Sequence, residues 1–214
     1  MFQTLMSKTF IILTGSLLMA WIGCLLSVRM YTKAMLTQTY QNIRSYQIGA
    51  LIVNIGAFIL LMFMRASFPL NMILMGIFTA SSGFNLGIYF VAYKDTAPKA
   101  LALTFLTTLL TGLIATYSGL DFAWMGKFLF IGLIVIVIYS IIRIFVRLGG
   151  QRIMAGLGVI IFTGYLLFDF NRLSKLKGIV AANNWENALN FAISIYLDII
   201  NLFISLMNLM SSNN

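Results

Sequence analysis

The stretch NALNFAISIYLDIINLFISLMNLM, residues 187–210, decides the fold of this chain. It is long enough to cross a bilayer as a single α-helix, and its only charged residue is Asp198, near its middle. A charge at the bilayer centre costs roughly 2.5 to 3.5 kcal/mol on the insertion scale. Groups elsewhere in the protein must therefore compensate this carboxylate.

The polar residues of the stretch share one helix face. They recur at steps of three or four residues, which places them on a single stripe of an α-helix. The stripe consists of Asn187, Asn190, Ser194, Asp198, Asn201, Ser205 and Asn208. Because lipid cannot hydrogen-bond such a stripe, we expect it to face other helices or a wet cavity. The last helix is thus predicted to lie at the centre of a bundle.

The composition indicates an integral membrane protein. Of 214 residues, 61% are hydrophobic and 9% are charged, and the mean hydropathy is +0.97. Segments of membrane-spanning length predict seven helices, with no alternation typical of a barrel. The predicted spans are 9–28, 46–64, 69–93, 100–118, 127–146, 153–171 and 187–210. We therefore predict an all-α protein with one transmembrane domain over residues 1–214.

The net charge of +9 does not indicate a nucleic-acid partner. Its 14 basic residues are distributed along the loops and helix ends, without the clustering on one face that nucleic-acid binding needs. We interpret them as anchors at the headgroup level of the lipid bilayer. They divide six against eight between the two predicted sides, which does not fix the orientation.

Small and hydroxyl residues predict how the helices pack. Gly83 and Gly87 form a GxxxG pair in the third segment, and the sixth contains Gly156, Gly158 and Gly164. Such residues let helix backbones approach closely in lipid. A weaker polar stripe in the fourth segment, at Thr104, Thr108 and Thr111, is predicted to hydrogen-bond to its own helix.

Two acidic residues lie inside predicted spans, Asp169 and Asp198. If they meet, repulsion in a low dielectric would make them share one proton, and such a pair senses pH. The alternative for Asp169 is an ordinary ion pair with Arg172, three residues along the same helix. The two acids lie at different predicted depths. They meet only if the sixth helix continues past Asn171 or the last helix begins within the membrane.

A family resemblance favours the paired interpretation. The sequence FDFNRL (168–173) followed by AISIYLDIINLFISLM (192–207) resembles the C-terminal signature of the Bax-inhibitor-type family, also called the transmembrane Bax inhibitor motif family. The resemblance is strongest over residues 165–207, and NIGAFILLMFMR (54–65) is similar to the family's second helix. The resemblance implies a bacterial member of the family.

The resemblance implies a bundle of six helices around a central seventh that leaks calcium across a membrane. It implies that Asp169 and Asp198 form a proton-sensitive pair, and that Arg65 latches onto the first of them. The chain departs from the family pattern at Asn54, where bacterial members carry a glutamate that helps to hold the arginine. This departure weakens the expected latch and the expected affinity for a divalent cation.

These considerations together yield a pH-sensitive calcium leak as the expected function. A shared proton would draw helices six and seven together, and its loss would free a carboxylate for a hard cation. Because two carboxylates are too few for tight binding, we expect only a weak Ca²⁺ site at Asp169 and Asp198 and no other cofactor. The residues expected to line the path or support the pair are Asn54, Asn171, Arg172, Asn190, Ser194, Asn201 and Ser205.

Two other function classes are alternatives to the calcium leak. Intramembrane aspartyl proteases also use two aspartates, but the sequences LFDF and YLDI lack the GxGD motif, and the chain has no histidine for serine or zinc chemistry. We therefore expect no enzyme activity. The second class is a membrane-embedded regulator of another membrane protein, such as a membrane-bound protease or a cell-death or stress partner. The expected location is a prokaryotic plasma membrane.

Overall fold

The structure, a computed structural model, describes residues 4–37, 41–63, 68–146 and 149–211. These residues form seven α-helices and no strand, which confirms the predicted fold class. All seven are long and apolar enough to cross a membrane. The helices are α1 (Leu5–Thr37), α2 (Gln41–Phe63), α3 (Phe68–Ala92), α4 (Ala97–Tyr117), α5 (Met125–Phe145), α6 (Gln151–Lys175) and α7 (Trp185–Ser211).

Turn chemistry explains several of the helix ends. Pro98 lies in the first turn of α4, where its missing N–H group costs nothing. Gly119 just beyond α4 and Gly150 just before α6 have φ of 70° and 81°, a region that favours glycine. A short 3-10 turn at Val180–Ala182 lies between α6 and α7.

Burial separates lipid-facing helices from interior ones. In their most apolar windows, α2 and α5 are each only 6% buried, whereas α7 is 61% buried, the largest share of the seven described spans. Tyr196, Ile195 and Leu202 of α7 have no exposed surface. Long apolar helices with so little of their surface buried are expected in lipid, so these values agree with a membrane-embedded protein in which α7 is the most buried of the described spans.

The described chain divides into two compact units. One, which we call the α4–α6 unit, contains α4, α5, α6 and α7 from Ser194 onward. The other, the α1–α3 unit, contains α1 from Ser7, α2, α3 and α7 as far as Ile193. This division does not test the prediction of one transmembrane domain over residues 1–214, which stays a prediction.

Close glycine contacts hold α1 against α3 within the α1–α3 unit. A Cβ atom on Gly83 would collide with the backbone of Ala20, and one on Gly87 would lie 3.0 Å from the carbonyl oxygen of Cys24. Gly23 faces the carbonyl of Ala80 in the same way. The predicted packing role of Gly83 and Gly87 is therefore confirmed, and Gly23 is an additional member that the sequence did not single out.

Glycines and threonines of the α4–α6 unit behave largely as predicted. Gly158 faces Ser205 of α7 and Gly164 faces Leu129 of α5, whereas Gly156 has no neighbour within 4 Å. The hydroxyl of Thr104 donates to the carbonyl of Ala100 at 2.8 Å. Thr108 and Thr111 donate to their own helix in the same way, which confirms back-bonding on this face.

Candidate functional site

The carboxyl groups of Asp169 and Asp198 meet inside the α4–α6 unit. Helix α6 continues past Asn171 to Lys175, so Asp169 lies more than one turn inside its C-terminal end. Both acids are buried, at 5% and 7% exposure, and their carboxyl groups lie close enough to interact electrostatically. A carboxylate only accepts hydrogen bonds, so a bond between two carboxyl groups requires one of them to carry a proton.

The second oxygen of Asp198 has an unusual environment. Its Oδ2 atom is buried and has no hydrogen-bond partner among the residues that the structure describes. A buried polar atom without a partner is costly, and polar sites of this kind commonly bind water or an ion. Asp198 Oδ2 is therefore an unsatisfied buried polar atom beside the acid pair.

Asp169 also forms the ion pair that was considered as an alternative. Arg172 Nη1 lies 3.7 Å from Asp169 Oδ1, and the arginine side chain is 56% exposed. The guanidinium also lies over the ring of Phe168, 5.4 Å from its centroid. The ion pair and the acid pair thus coexist, with Arg172 contacting Asp169 from the exposed side.

Tyr165 is a neighbour of the pair that the sequence analysis did not include. It lies one turn before Asp169 on α6 and interacts electrostatically with both carboxyl groups. Its spacing of four residues from Asp169 was the signal that could have identified it.

A cavity with a mainly apolar lining adjoins the same stripe of α7. It has a volume of about 410 Å³ and lies between α5, α6 and α7. Its polar lining consists of Tyr139, Ser140, Arg143, Gln151, Asn201, Ser205 and Asn208. Asn201 is three residues from Asp198, about 4.5 Å along the helix axis.

The mouth of this cavity carries one cation. Arg143 Nη2 donates to Gln151 Oε1 at 2.7 Å, and the hydroxyl of Tyr139 donates to the carbonyl of Gly149 at 3.0 Å. Deeper in the cavity, Ser205 Oγ donates to the carbonyl of Asn201 at 2.7 Å. The predicted lining role of Asn201 and Ser205 thus has a matching cavity.

Other predicted site residues lie elsewhere. Asn190 is exposed, so the stripe is not enclosed along its whole length; it lies in the second turn of α7, where water or headgroups reach the helix. Ser194 is half-buried. Asn54 Nδ2 donates to the carbonyl of Phe78 at 2.9 Å and to Ser82 Oγ at 2.7 Å, which ties α2 to α3. Arg65 lies outside the described residues.

Asn171 has a structural role instead of the predicted place along the path. Its Nδ2 atom donates to the carbonyls of Ala115 at 3.3 Å and Leu120 at 2.9 Å. Its Oδ1 atom accepts from the N–H group of Phe122 at 3.2 Å. The buried amide therefore fastens the connection between α4 and α5 to α6, and its polar groups are used there instead of at the acid pair.

A second contact fastens the same connection. The carboxylate of Asp121 forms an ion pair with Lys175, at the end of α6. The hydrogen bond from Lys175, together with one from the N–H group of Ala123, holds the pKa of Asp121 below its ordinary value of 3.8. Both side chains are exposed, so this ion pair makes only a minor contribution to stability.

The site offers too few ligands for a resident metal ion. Among the described residues, no three Asp, Glu, Cys or His side chains cluster. The two paired carboxyl groups supply at most four oxygens, whereas Ca²⁺ takes six to eight.

Sequence comparisons place this geometry in a known family. The family profile described as "Inhibitor of apoptosis-promoting Bax1" matches residues 2–214. An uncharacterised protein of Helicobacter pylori is 32% identical over 209 residues, which cover 94% of this chain and 83% of that protein. Protein LIFEGUARD 1 of Arabidopsis thaliana is 33% identical over 152 residues, 67% of this chain.

A third relative, an uncharacterised protein of Campylobacter jejuni, is 31% identical over 76% of this chain. The match covers only 61% of the length of LIFEGUARD 1, so the plant protein's whole-length properties do not transfer directly. The profile match over nearly every residue, together with seven spanning helices, leads to one conclusion. The chain belongs to the Bax inhibitor family of integral membrane proteins.

Proposed function

We propose that this protein is a pH-sensitive calcium leak channel gated by the Asp169–Asp198 pair. The observation that carries the proposal is the close approach of two buried carboxyl groups on neighbouring helices. A hydrogen bond between them needs a proton, so such a bond would hold α6 and α7 together only while the pair is protonated. Two neighbouring carboxylates that were both ionised in a low dielectric would repel each other.

The cavity beside α7 supports a path for the ion. Its lining is mainly apolar but includes the hydroxyl and amide groups of Asn201, Ser205 and Asn208, which offer the oxygen ligands that a hard cation accepts. The partnerless Oδ2 atom of Asp198 is the nearest strong ligand. Loss of the shared proton would add negative charge there, so we expect flux to increase as pH rises. Arg65 as a latch stays a prediction.

The test is calcium flux into liposomes that contain the purified chain. Asp198→Asn and Asp169→Asn remove the titrating groups, and we expect each to flatten the dependence of flux on pH. Asp121→Asn is the matched control, since it removes the same charge from an exposed loop. If both span variants keep the wild-type pH profile, the gate lies elsewhere and the proposal fails.

A second candidate function follows from the description of the family. That description names an inhibitor of an apoptosis-promoting protein, which is an action on another protein. In this case the acid pair and the amide-rich stripe would fix the packing of helices, and the chain would regulate a membrane-bound partner without conducting ions or catalysing a reaction. Purified protein that folds normally but conducts no calcium at any pH would favour this function.

The bacterial relatives support a location in a prokaryotic plasma membrane. Immunoblotting of fractionated cells that express the chain from its own promoter tests this location.

A further inference from the structure

The α1–α3 unit contains a lipid-facing groove that is distinct from the acid pair. The groove has a volume of about 630 Å³ and is formed by α1, α2 and α3. That volume falls in the range of about 300 to 1,000 Å³ typical of small-molecule sites. Its lining residues are Met19, Gly23, Leu26, Ala50, Val53, Ile73, Gly76, Ile77, Ala80, Ser81 and Phe84.

The lining can hold only hydrocarbon. Ser81 is its single polar side chain, and the Ser81 hydroxyl already donates to the carbonyls of Ile77 at 2.8 Å and Phe78 at 2.9 Å. Gly76 keeps part of the groove open, because a Cβ atom there would meet nothing within 4 Å. A polar ligand would lose its hydrogen bonds with water in this groove and gain none.

One end of the groove points toward a set of cations. Ala20 and Ser27 of α1 lie against Gly83 and Gly87 of α3, so these two helices run in the same direction. Helix α2 runs the opposite way, since Asn54 bonds Ser82 while the ring of Phe58 lies 5.5 Å from that of Phe78. The C-terminal ends of α1 and α3 and the N-terminal end of α2 are therefore on one side.

Four exposed basic residues lie on that side: Arg29, Lys33 and Arg44, and Lys94 just beyond α3, where Asp95 follows it. Lys33 continues the groove face of α1, because Met19, Gly23, Leu26, Met30 and Lys33 recur at steps of four and three. It lies seven residues beyond Leu26, or about 10 Å along the axis, and Arg44 lies six residues before Ala50, or about 9 Å. Residues 7–94 contain no Asp or Glu, so the helices of the groove supply no counter-charge.

We propose that this groove binds one acyl chain of an anionic phospholipid whose headgroup lies against Arg29, Lys33 and Arg44. The apolar lining selects the chain, and the three cations select the charge of the headgroup. A zwitterionic lipid fits the hydrocarbon part equally well but lacks the net negative charge that the rim attracts. The site does not depend on ion conduction.

The experiment uses the full-length chain in phosphatidylcholine nanodiscs with spin-labelled phosphatidylglycerol or phosphatidylcholine as the probe. We expect an immobilised component of the spin-label spectrum that is stronger for phosphatidylglycerol. The double variant Arg29→Gln/Lys33→Gln is expected to lower this preference by about fivefold for each cation removed. Its matched control is Lys127→Gln/Lys177→Gln, which removes two exposed cations from the ends of other helices.

A second pair of variants tests the groove itself. Gly76→Leu fills the groove, whereas Gly15→Leu adds the same side chain to α1 at another open position outside the lining. We expect Gly76→Leu to abolish the immobilised component and Gly15→Leu to preserve it, with unchanged helical circular dichroism. If Gly76→Leu misfolds, the charge variants on the unaltered groove still decide the question.

Three results would overturn the proposal. One is equal immobilisation of the two lipids, and another is an equal effect of the two charge variants. The third is complete displacement of phosphatidylglycerol by inorganic phosphate, because the headgroup alone would then account for binding and the groove would have no part in it.

Discussion

A single methyl group at Gly83 should separate α1 from α3. A Cβ atom built there lies 2.7 Å from the Cα atom of Ala20 and closer still to its carbonyl oxygen. Carbon atoms prefer separations of about 3.5 to 4.0 Å, so the helices would have to move apart by about 1 Å. Both atoms belong to backbone, which leaves no side-chain rotation to relieve the contact.

The magnitude follows from two opposing effects. Gly→Ala raises helix propensity by up to about 1 kcal/mol, whereas overpacking costs typically about 1 to 3 kcal/mol and more when backbone must move. We therefore expect Gly83→Ala to lower the free energy of unfolding by about 2 kcal/mol. For a chain of this size that corresponds to a fall in Tm of about 4 to 8 °C.

Gly76→Ala on the same helix is the matched control, because its Cβ atom would meet nothing within 4 Å. We expect it to leave Tm unchanged or to raise it slightly. The assay is thermal unfolding of the purified variants in detergent, followed by helical circular dichroism. Equal Tm values for the two variants would refute the close contact between α1 and α3.

Two further predictions concern the connection between α4 and α5. Asn171→Ala removes three hydrogen bonds to backbone groups and should lower the free energy of unfolding by about 2 to 4 kcal/mol; thermal unfolding measures this, and an unchanged Tm would contradict the fastening role. The ion pair with Lys175 depresses the pKa of Asp121 in the folded protein. The pair therefore stabilises the fold above the ordinary pKa of 3.8, and this stabilisation is lost as pH falls through the depressed pKa. We expect Asp121→Asn to have a slightly lower Tm than wild type near neutral pH and an equal Tm in acid, and a Tm difference that grows in acid would contradict this prediction.

The sequence predicted the features that depend on short-range periodicity. Hydrophobic length predicted all seven helices, and the three-four spacing on α7 predicted the buried face that carries Asp198. The GxxxG pair predicted a close helix contact, although its partner Gly23 on α1 could not be identified because pairing between distant segments leaves no local signal. Threonine back-bonding depends only on neighbours along one helix, and it was predicted correctly.

The sequence could not predict the direction in which two amides point. Asn171 follows Asp169 by two residues, over which a helix turns about 200°, and its amide is directed toward the α4–α5 connection. Asn190 has the right period for the stripe but is exposed, although Ala188 and Leu189 before it are buried. The spacing of residues along a helix predicts which face they share. How deeply that face is buried, and which residues it contacts, depend on tertiary packing.

The fastening of the α4–α5 connection has a consequence for control from outside the membrane. Asn171 and Lys175 hold that connection against the same stretch of α6 that carries Asp169 and Arg172. A protein or an antibody fragment that bound the exposed α4–α5 connection and displaced it would also displace the turn of α6 that carries Asp169. A soluble partner could therefore act on the acid pair without entering the bilayer.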